Sequence, residues 1–334
     1  MAQAGTSRAR RALLALAAPL LALAPGLALA QPQTQPAPAN RPVRMLVGFP
    51  PGGSTDIFAR ALSDELTRMW STPVVVENRG GANGIIATEA LVKSEPNGET
   101  LMFTISSHVT NRALYPNLPY NPLRDVTPIA LVARSPFIVV GNPRFPARNL
   151  ADLVRLAKEK PGGIDYASPG PGSAQQLAME LLTSTAGIRL NHVAYRGGAP
   201  AMTDLMAGVV PLSLLTTTQV LQQVREGTLR PIGVTTAQRS TMLPDVPTMA
   251  EQGLRGYEAD VWFGVIGPAG MPAPMVGRMA ADISRALSNP AVRERFTSQD
   301  AVVLNRPPEE FAQLMRDEDR KWSELIRAAN IRAE

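Results

Sequence analysis

A glycine-rich loop between a predicted strand and a predicted helix constrains this chain more than any other feature. The loop reads GFPPGGSTD from Gly48 to Asp56 and follows an apolar run of strand length, residues 43–47. Such a turn leaves backbone N–H groups unpaired at the positive end of the helix dipole. The sequence therefore predicts an anion-binding loop. The apolar residues that recur at helical spacing after it are Phe58, Ala61, Leu62, Leu66 and Met69.

The loop does not fit a nucleotide. Gly48 and Gly53 have the spacing of a P-loop and Ser54 follows, but the lysine that reaches the phosphates is absent and two prolines remove N–H donors. No Gly-x-Gly-x-x-Gly pattern stands at any glycine turn of the chain. We therefore disfavour ATP and dinucleotides.

Asp56 is the one charge of the loop that would repel a bound anion. A carboxylate in the first turn complements the helix dipole. We expect its side chain to turn away from the ligand and to leave the amides of Gly53 to Thr55 free.

The first 40 residues are predicted to lie outside the folded domain. Arginines at positions 8, 10 and 11 precede an Ala/Leu run that ends in Ala28-Leu29-Ala30. This pattern predicts a signal peptide over 1–30, cleaved after Ala30. It does not distinguish export by the general secretory route from export by the twin-arginine route. Residues 31–40 are polar and proline-spaced, which predicts a linker.

Composition excludes several classes of function. The chain has 33 basic and 28 acidic residues. Three of the basic residues and none of the acidic residues lie in 1–30, so the remainder of the chain has a net charge of +2. We expect no nucleic-acid binding from such a balance. Cysteine is absent, so thiol chemistry, disulfides and cysteine metal sites are excluded. His108 and His192 are the only histidines, and we expect no metal and no cofactor.

Strand-like and helix-like segments alternate over most of the chain, with glycine turns between them. This alternation predicts an α/β fold with parallel sheets and ligand sites at the carboxyl ends of the strands. The short apolar segments 129–132 and 137–140 are predicted as two separate strands. The glycine turns are 50–55, 78–84, 169–173 and 196–198; each is open to interpretation as simple strand-to-helix punctuation, the last above all.

Catalytic machinery is poorly represented. Residues 106–108 read Ser-Ser-His at the end of a predicted strand, where neighbouring side chains point to opposite faces. No Gly-x-Ser-x-Gly elbow occurs. We interpret the chain as a non-enzyme that captures and releases a small carboxylate. A periplasmic serine hydrolase using Ser107 or Ser173 remains a weaker alternative.

Eight stretches, in this order, resemble one family over nearly all of residues 41–334. The chain is similar to the solute-binding proteins of tripartite tricarboxylate transporters, the Bug-type periplasmic receptors. The stretches are VGFPPGGSTD (47–56), VVENR (75–79), ALYP (113–116), LPY (118–120), YAS (166–168), HVAYRG (192–197), LPDVPT (243–248) and WFG (262–264).

This resemblance implies a two-lobed type II periplasmic-binding-protein fold, each lobe a mainly parallel sheet flanked by helices. Lobe 1 would comprise 41–133 and 237–334, and lobe 2 would comprise 134–236. The implied protein is a periplasmic monomer that delivers its ligand to membrane permease subunits. An accessory that presents the ligand to a sensor kinase stays possible.

The resemblance also implies which residues line the cleft between the lobes. One departure concerns the ligand: many members carry an aspartate where this chain has Leu215 and three threonines. That change favours a dicarboxylate, tricarboxylate or aromatic acid without an amino group. The implied ligand-binding residues are Phe49, Gly53, Ser54, Thr55, Ala82, Asn83, Ser106, Ser107, Ser168, Gly170, Ser173, Tyr195, Arg196 and Thr216.

Overall fold

The computed structural model describes residues 41–333. The signal peptide and linker predicted over 1–40 lie outside the described residues. The strands are β1 (Val43–Val47), β2 (Val74–Asn78), β3 (Thr100–Ile105), β4 (Val126–Gly141), β5 (Asp165–Ser168), β6 (Asn191–Ala194), β7 (Leu212–Thr216), β8 (Arg230–Val234), β9 (Asp260–Pro268) and β10 (Val302–Arg306). The helices are α1 (Ser54–Trp70), α2 (Ile85–Val92), α3 (Ser107–Leu114), α4 (Leu150–Glu159), α5 (Ala174–Ala186), α6 (Gly198–Ala207), α7 (Thr217–Arg225), α8 (Ala273–Ser288), α9 (Pro290–Thr297) and α10 (Pro308–Ala328).

Two sets of parallel strands form the two ends of the strand order β2-β1-β3-β9-β4-β7-β5-β6. In the first set, β1 lies between β2 and β3. In the second set, β5 lies between β6 and β7. The strands β1 and β3 are almost entirely buried, as expected for parallel strands covered on both faces. The α/β class predicted from the alternation is confirmed.

Strand β4 joins the two sets. Its first half pairs antiparallel with β9 and β10, and its second half pairs antiparallel with β7 and β8. The prediction of two strands broken near Pro136 is therefore wrong. Pro136 pairs with Asp260 at the end of the β9 ladder, and pairing with β7 begins at Phe137. A residue without an N–H is tolerated there because the strand changes partner at that point.

Aromatic packing fixes α1 against the C-terminal part of the chain. The ring of Phe58 on α1 stacks on Phe296 of α9 at 4.3 Å between centroids and meets the edge of Phe263 on β9 at 4.9 Å. All three rings are buried. This core fixes the first half of α1, and with it the loop that precedes the helix.

Three elements escaped the sequence analysis: α3, α7 and β10. Helix α3 replaces the strand end predicted over 106–108, and its polar sequence SHVTNRAL is too short to show a clear helical period. Helix α7 opens with a capping box between Thr216 and Gln219, a signal that the sequence did contain. Among residues 41–333, none of the helices combines the length and the apolar character that crossing a membrane requires.

Candidate functional site

The loop after β1 has the unpaired amides that the sequence predicts. Gly53 is the N-cap of α1, has extended backbone at φ −79°, and offers no side-chain cap. Within residues 41–333, the amides of Gly53, Ser54 and Thr55 have no hydrogen-bond acceptor. A Cβ added at Gly53 would meet nothing within 4 Å, so the space in front of this residue is open. These unpaired amides lie at the amino end of a 17-residue helix, where the helix dipole favours negative charge.

Asp56 is turned away from these amides, as expected. Its carboxylate accepts hydrogen bonds from the Gly52 amide at 3.0 Å, from Arg60 Nε at 3.0 Å and from Asn78 Nδ2 at 2.9 Å. The side chain is buried. Burial opposes its ionisation, but the hydrogen bonds from Arg60, Gly52 and Asn78 outweigh that effect and lower the pKa of Asp56. The charge is therefore neutralised inside the loop rather than exposed to a ligand.

The loops after β1 and β2 touch through their backbones. A Cβ at Gly48 would lie 2.7 Å from the Cα of Gly84, so position 48 requires glycine. The backbone oxygen of Phe49 accepts a hydrogen bond from Asn78 Nδ2 at 3.0 Å, and the Phe49 ring covers Gly84. The first two predicted loops are thus brought together.

The loop after β2 closes in a left-handed turn. Ala82 and Asn83 have φ values of 45° and 53°, and the Gly84 amide donates to the Gly81 oxygen at 3.1 Å. Asn83 is held from α3, because its backbone oxygen accepts from Ser107 Oγ at 3.3 Å and from Asn111 Nδ2 at 3.1 Å. Within the described part of the chain, the Ala82 and Asn83 amides have no acceptor.

Ser106 and Ser107 lie at the start of α3, both buried. His108 is therefore not a strand neighbour of these hydroxyls. It is buried within α3, its Nε2 donates to the oxygen of Pro122 at 2.9 Å, and burial lowers its pKa to about 4. A neutral, inward-facing histidine does not act on a ligand. We call the loops 48–56 and 78–84, with the start of α3 at 106–107, the first seat.

The loops 168–173 and 195–198, with the start of α7 at 216, form the second seat. They follow the carboxyl ends of β5, β6 and β7, which are parallel. The Tyr195 amide donates to the Ser168 oxygen at 3.0 Å, and the Gly197 amide donates to the Pro169 oxygen at 2.9 Å. These bonds fasten the second seat's two glycine turns to each other.

The second seat differs from the sequence expectation in how its polar groups are used. The amide of Gly170 donates to Ser168 Oγ at 3.2 Å, and Ser168 is fully buried. Ser173 is the N-cap of α5 and accepts from the Gln176 amide at 3.3 Å. At this seat, amides without an acceptor among the described residues lie instead at helix starts: those of Ala174 and Gln175 on α5 and of Gly198 and Ala199 on α6.

A one-directional chain of hydrogen bonds runs through the second seat. The Gly172 amide donates to Gln176 Oε1 at 2.7 Å, which leaves Gln176 Nε2 to donate to His192 Nδ1 at 3.1 Å. The hydrogen of His192 must then lie on Nε2, which donates to Ser168 Oγ at 2.7 Å. Ser168 Oγ in turn donates to the oxygen of Gly170 at 3.1 Å.

This direction bears on catalysis. A serine nucleophile needs a base that accepts its proton, whereas His192 donates to Ser168. Burial also lowers the pKa of His192. The sequence analysis missed this serine–histidine contact, and the contact holds a loop in shape rather than activating a hydroxyl.

The remaining predicted residues of the second seat lie close by. The hydroxyl of Tyr195 donates to Asp204 Oδ2 at 2.7 Å; burial and this carboxylate raise the pKa of Tyr195 to about 12. Arg196 is exposed, and no ion pair holds its side chain among residues 41–333. Thr216 caps α7 through Gln219. The side chains of Tyr195 and Thr216 are thus already hydrogen-bonded, whereas Arg196 presents an unpaired positive charge among the described residues.

A small cavity of about 10 Å³ lies between the start of α3, which belongs to the first seat, and α5, which follows the second seat. Ser106 and Ser107 line one side, and Ala174 and Leu177 of α5 line the other. Nearby, a Cβ at Gly172 would come within 3.2 Å of Leu114. The start of α3 and the start of α5 therefore meet at one place.

Asp260 lines the same cavity and was not predicted. Burial raises its pKa to about 7, against the pull of Arg134, whose guanidinium lies 3.3 Å away. Asp260 lies far along the chain from the loops of the first seat, and no sequence motif indicates that it belongs to a site. Only the pairing of β9 with β3, the strand that leads into Ser106, places this carboxyl beside the two serines.

Comparisons with known proteins identify the family. Residues 58–331 match the sequence profile of the tripartite tricarboxylate transporter family receptor. The chain belongs to this receptor family. It is 37% identical over 289 residues to Protein BugT of Bordetella pertussis, covering 86% of this chain and 89% of that protein.

Solved structures agree with this assignment. The receptor is similar to Rpa4515 of R. palustris with adipate (30% identity, TM-score 0.76, 88% of this chain and 99% of the other). It is also similar to MatC from Rhodopseudomonas palustris with bound malate (31% identity, TM-score 0.72, 86% and 99%). The family consists of periplasmic solute-binding receptors with a two-lobed fold. The resemblance, the fold class and the non-enzymatic assignment made from the sequence are thereby confirmed.

Proposed function

We propose that this receptor captures a small dicarboxylate between the first seat and the second seat and delivers it to the permease of a tripartite tricarboxylate transporter. One observation carries the proposal: the first seat combines the open, unpaired amides of Gly53 to Thr55 with an aspartate whose charge is already neutralised by Arg60. Such a site attracts an anion and needs no metal or cofactor to do so.

The relatives support the ligand class. Adipate and malate, bound by two structural relatives, are both dicarboxylates. Two separated seats suit a ligand with a charge at each end. Arg196, exposed and unpaired in the described residues, would complement the second carboxylate.

The domain boundaries belong to the same proposal. We assign 41–133 and 237–334 to lobe 1 and 134–236 to lobe 2, with hinge closure of the lobes around the ligand. The change of partner along β4 at Pro136 supports the first boundary. A cleaved signal peptide would export the chain as a monomer to the periplasm.

The test is a thermal-shift panel of succinate, malate, adipate, citrate and benzoate on protein stripped of bound ligand. A cognate acid at 100 times its dissociation constant should add about 2.7 kcal/mol to the free energy of unfolding. A dicarboxylate should give the largest shift. Absence of stabilisation by every acid would contradict the proposal.

A matched pair of glycine variants locates the site. Gly53→Val should abolish binding and leave the fold intact, since the added side chain enters only the open space in front of the amides. Gly52→Val should instead lower stability by about 1–2 kcal/mol, because Gly52 has φ +88°. Near-native affinity in folded Gly53→Val would exclude this loop as the site.

A further inference from the structure

The turn 81–84 of the first seat is unusual because four successive residues have positive φ. The values are 127° for Gly81, 45° for Ala82, 53° for Asn83 and 88° for Gly84. Glycine adopts this region freely, whereas an alanine is strained there. Some contact outside the turn must compensate the strain at Ala82.

Asn111 of α3 holds the turn at Asn83, the residue next to Ala82. Its side chain forms two hydrogen bonds to one residue: Oδ1 accepts from Asn83 Nδ2 at 2.9 Å, and Nδ2 donates to the Asn83 oxygen at 3.1 Å. Asn111 is 1% exposed. The hydroxyl of Tyr120 is buried close to Asn111.

We propose that Asn111 is a positioning residue for ligand capture, which clamps the 81–84 turn in its left-handed form and so presents the Ala82 and Asn83 amides to the carboxylate. The role rests on the proposed carboxylate function. Asn111 itself does not touch the ligand. Both amides have no acceptor within residues 41–333, and their orientation follows from the two φ values that the clamp maintains.

The experiment compares three variants of the full mature protein with the unsubstituted one. Asn111→Leu removes both hydrogen bonds at similar volume. Ala82→Gly with Asn111→Leu also removes the strain that the clamp opposes. Asn142→Leu is the matched control, because Asn142 is also buried and donates to the backbone oxygens of Leu205 and Met206, in another part of the fold.

Two readouts are taken: hydrogen–deuterium exchange at the Gly84 amide, which the turn protects, and calorimetric titration with malate and with adipate. Asn111→Leu should speed exchange and weaken binding, each by about tenfold, as expected for release of one strained residue. The double variant should recover most of both losses. Asn142→Leu should lower the melting temperature and change neither readout.

Unchanged Gly84 exchange in Asn111→Leu overturns the clamp whatever the ligand. Equal weakening of binding by Asn142→Leu also overturns it, because the effect would then be general destabilisation. If the unsubstituted protein binds neither acid, the carboxylate function and the role of Asn111 in capture are contradicted. If Gly84 exchange is nevertheless faster in Asn111→Leu, Asn111 still stabilises the turn, but as a structural residue only.

Discussion

The first seat and the second seat are built from the same kind of strand-to-helix turn but use their amides differently. In the first seat the amides of Gly53 to Thr55 stay unpaired, and charged side chains stabilise the loop from behind through Asp56 and Arg60. In the second seat the Gly170 amide donates to Ser168 of the same loop and the Gly172 amide donates to Gln176 of α5, so neither is left for a ligand. Similar glycine patterns therefore give one loop ready for an anion and one that holds itself in shape.

The two seats also differ in the titratable group on which each depends. Asp56 has a lowered pKa and stays ionised across the physiological range, so the first seat changes little between pH 5 and 8. The second seat depends on a neutral His192. Three predictions follow from this contrast, in order of decreasing effect.

Replacing Asp56 by alanine should have the largest effect. The buried carboxylate accepts from Gly52, Arg60 and Asn78, and its loss removes the acceptor of the Gly52 amide and one of the acceptors of Arg60 and of Asn78. Because Arg60 is half exposed, we expect a loss of about 2–3 kcal/mol in the free energy of unfolding, together with weaker carboxylate binding. Urea denaturation measures the former.

Asp64→Ala is the control for that variant, since Asp64 is an exposed carboxylate on the same helix. It should cost less than about 0.5 kcal/mol. Equal effects of the two variants would show that Asp56 does not organise the first seat.

Replacing Gln176 by leucine should have an intermediate effect. The buried amide of Gly172 and Nδ1 of His192 both lose their partner. We expect a loss of about 1–2 kcal/mol in stability. Ligand affinity should fall less than in Asp56→Ala, because the second seat's free amides lie on α5 and α6 rather than in this loop.

Gln175→Leu provides the comparison, since its side chain makes no hydrogen bond within residues 41–333. It should match the unsubstituted protein in chemical denaturation. If Gln176→Leu also matches, the hydrogen-bond chain does not stabilise the second seat.

The smallest effect concerns pH. Burial lowers the pKa of His192 below its unfolded value, so its contribution to stability is present above about pH 6.5 and is lost as the pH falls. A proton on Nδ1 would face the donating Nε2 of Gln176. His192→Gln keeps a donor and an acceptor but cannot titrate, so it should lose less melting temperature between pH 7.5 and pH 5.0.

Other groups also affect the pH dependence of stability, but they are present in both the unsubstituted protein and His192→Gln. Burial lowers the pKa of His108 to about 4, so His108, like His192, lowers the stability of the folded protein as the pH falls. Asp260, with its pKa raised to about 7, acts in the opposite direction, since its stability contribution falls as the pH rises from about 4 to about 7. Identical pH dependence of the two proteins would contradict the role given to His192.

Much of the first seat could be read from the sequence. The strand 43–47, the glycine loop and the helix at Ser54 are where local pattern places them, and the position of Asp56 in the first turn predicted its orientation. These features depend on contacts within a few residues.

Other predictions failed where distant contacts prevail over local signals. Pro136 marks a break in the sequence, yet β4 runs through it because β9 supplies one partner and β7 the next. Residues 106–108 look like a strand end, yet 107–114 forms α3, which packs against α10. Short polar segments carry too little periodicity to oppose such packing.

By itself, the sequence determined the α/β class, the family and the unpaired amides at the start of α1, because strand, turn and helix signals act over neighbouring residues. The tertiary structure alone decided that Asn111 holds Asn83, that His192 donates to Ser168 and that Asp260 lies beside Ser106. Each of these contacts joins residues separated by at least 24 positions in the chain. No local rule relates such residues, and only the packing of the sheets brings them within reach of a hydrogen bond or into the wall of one cavity.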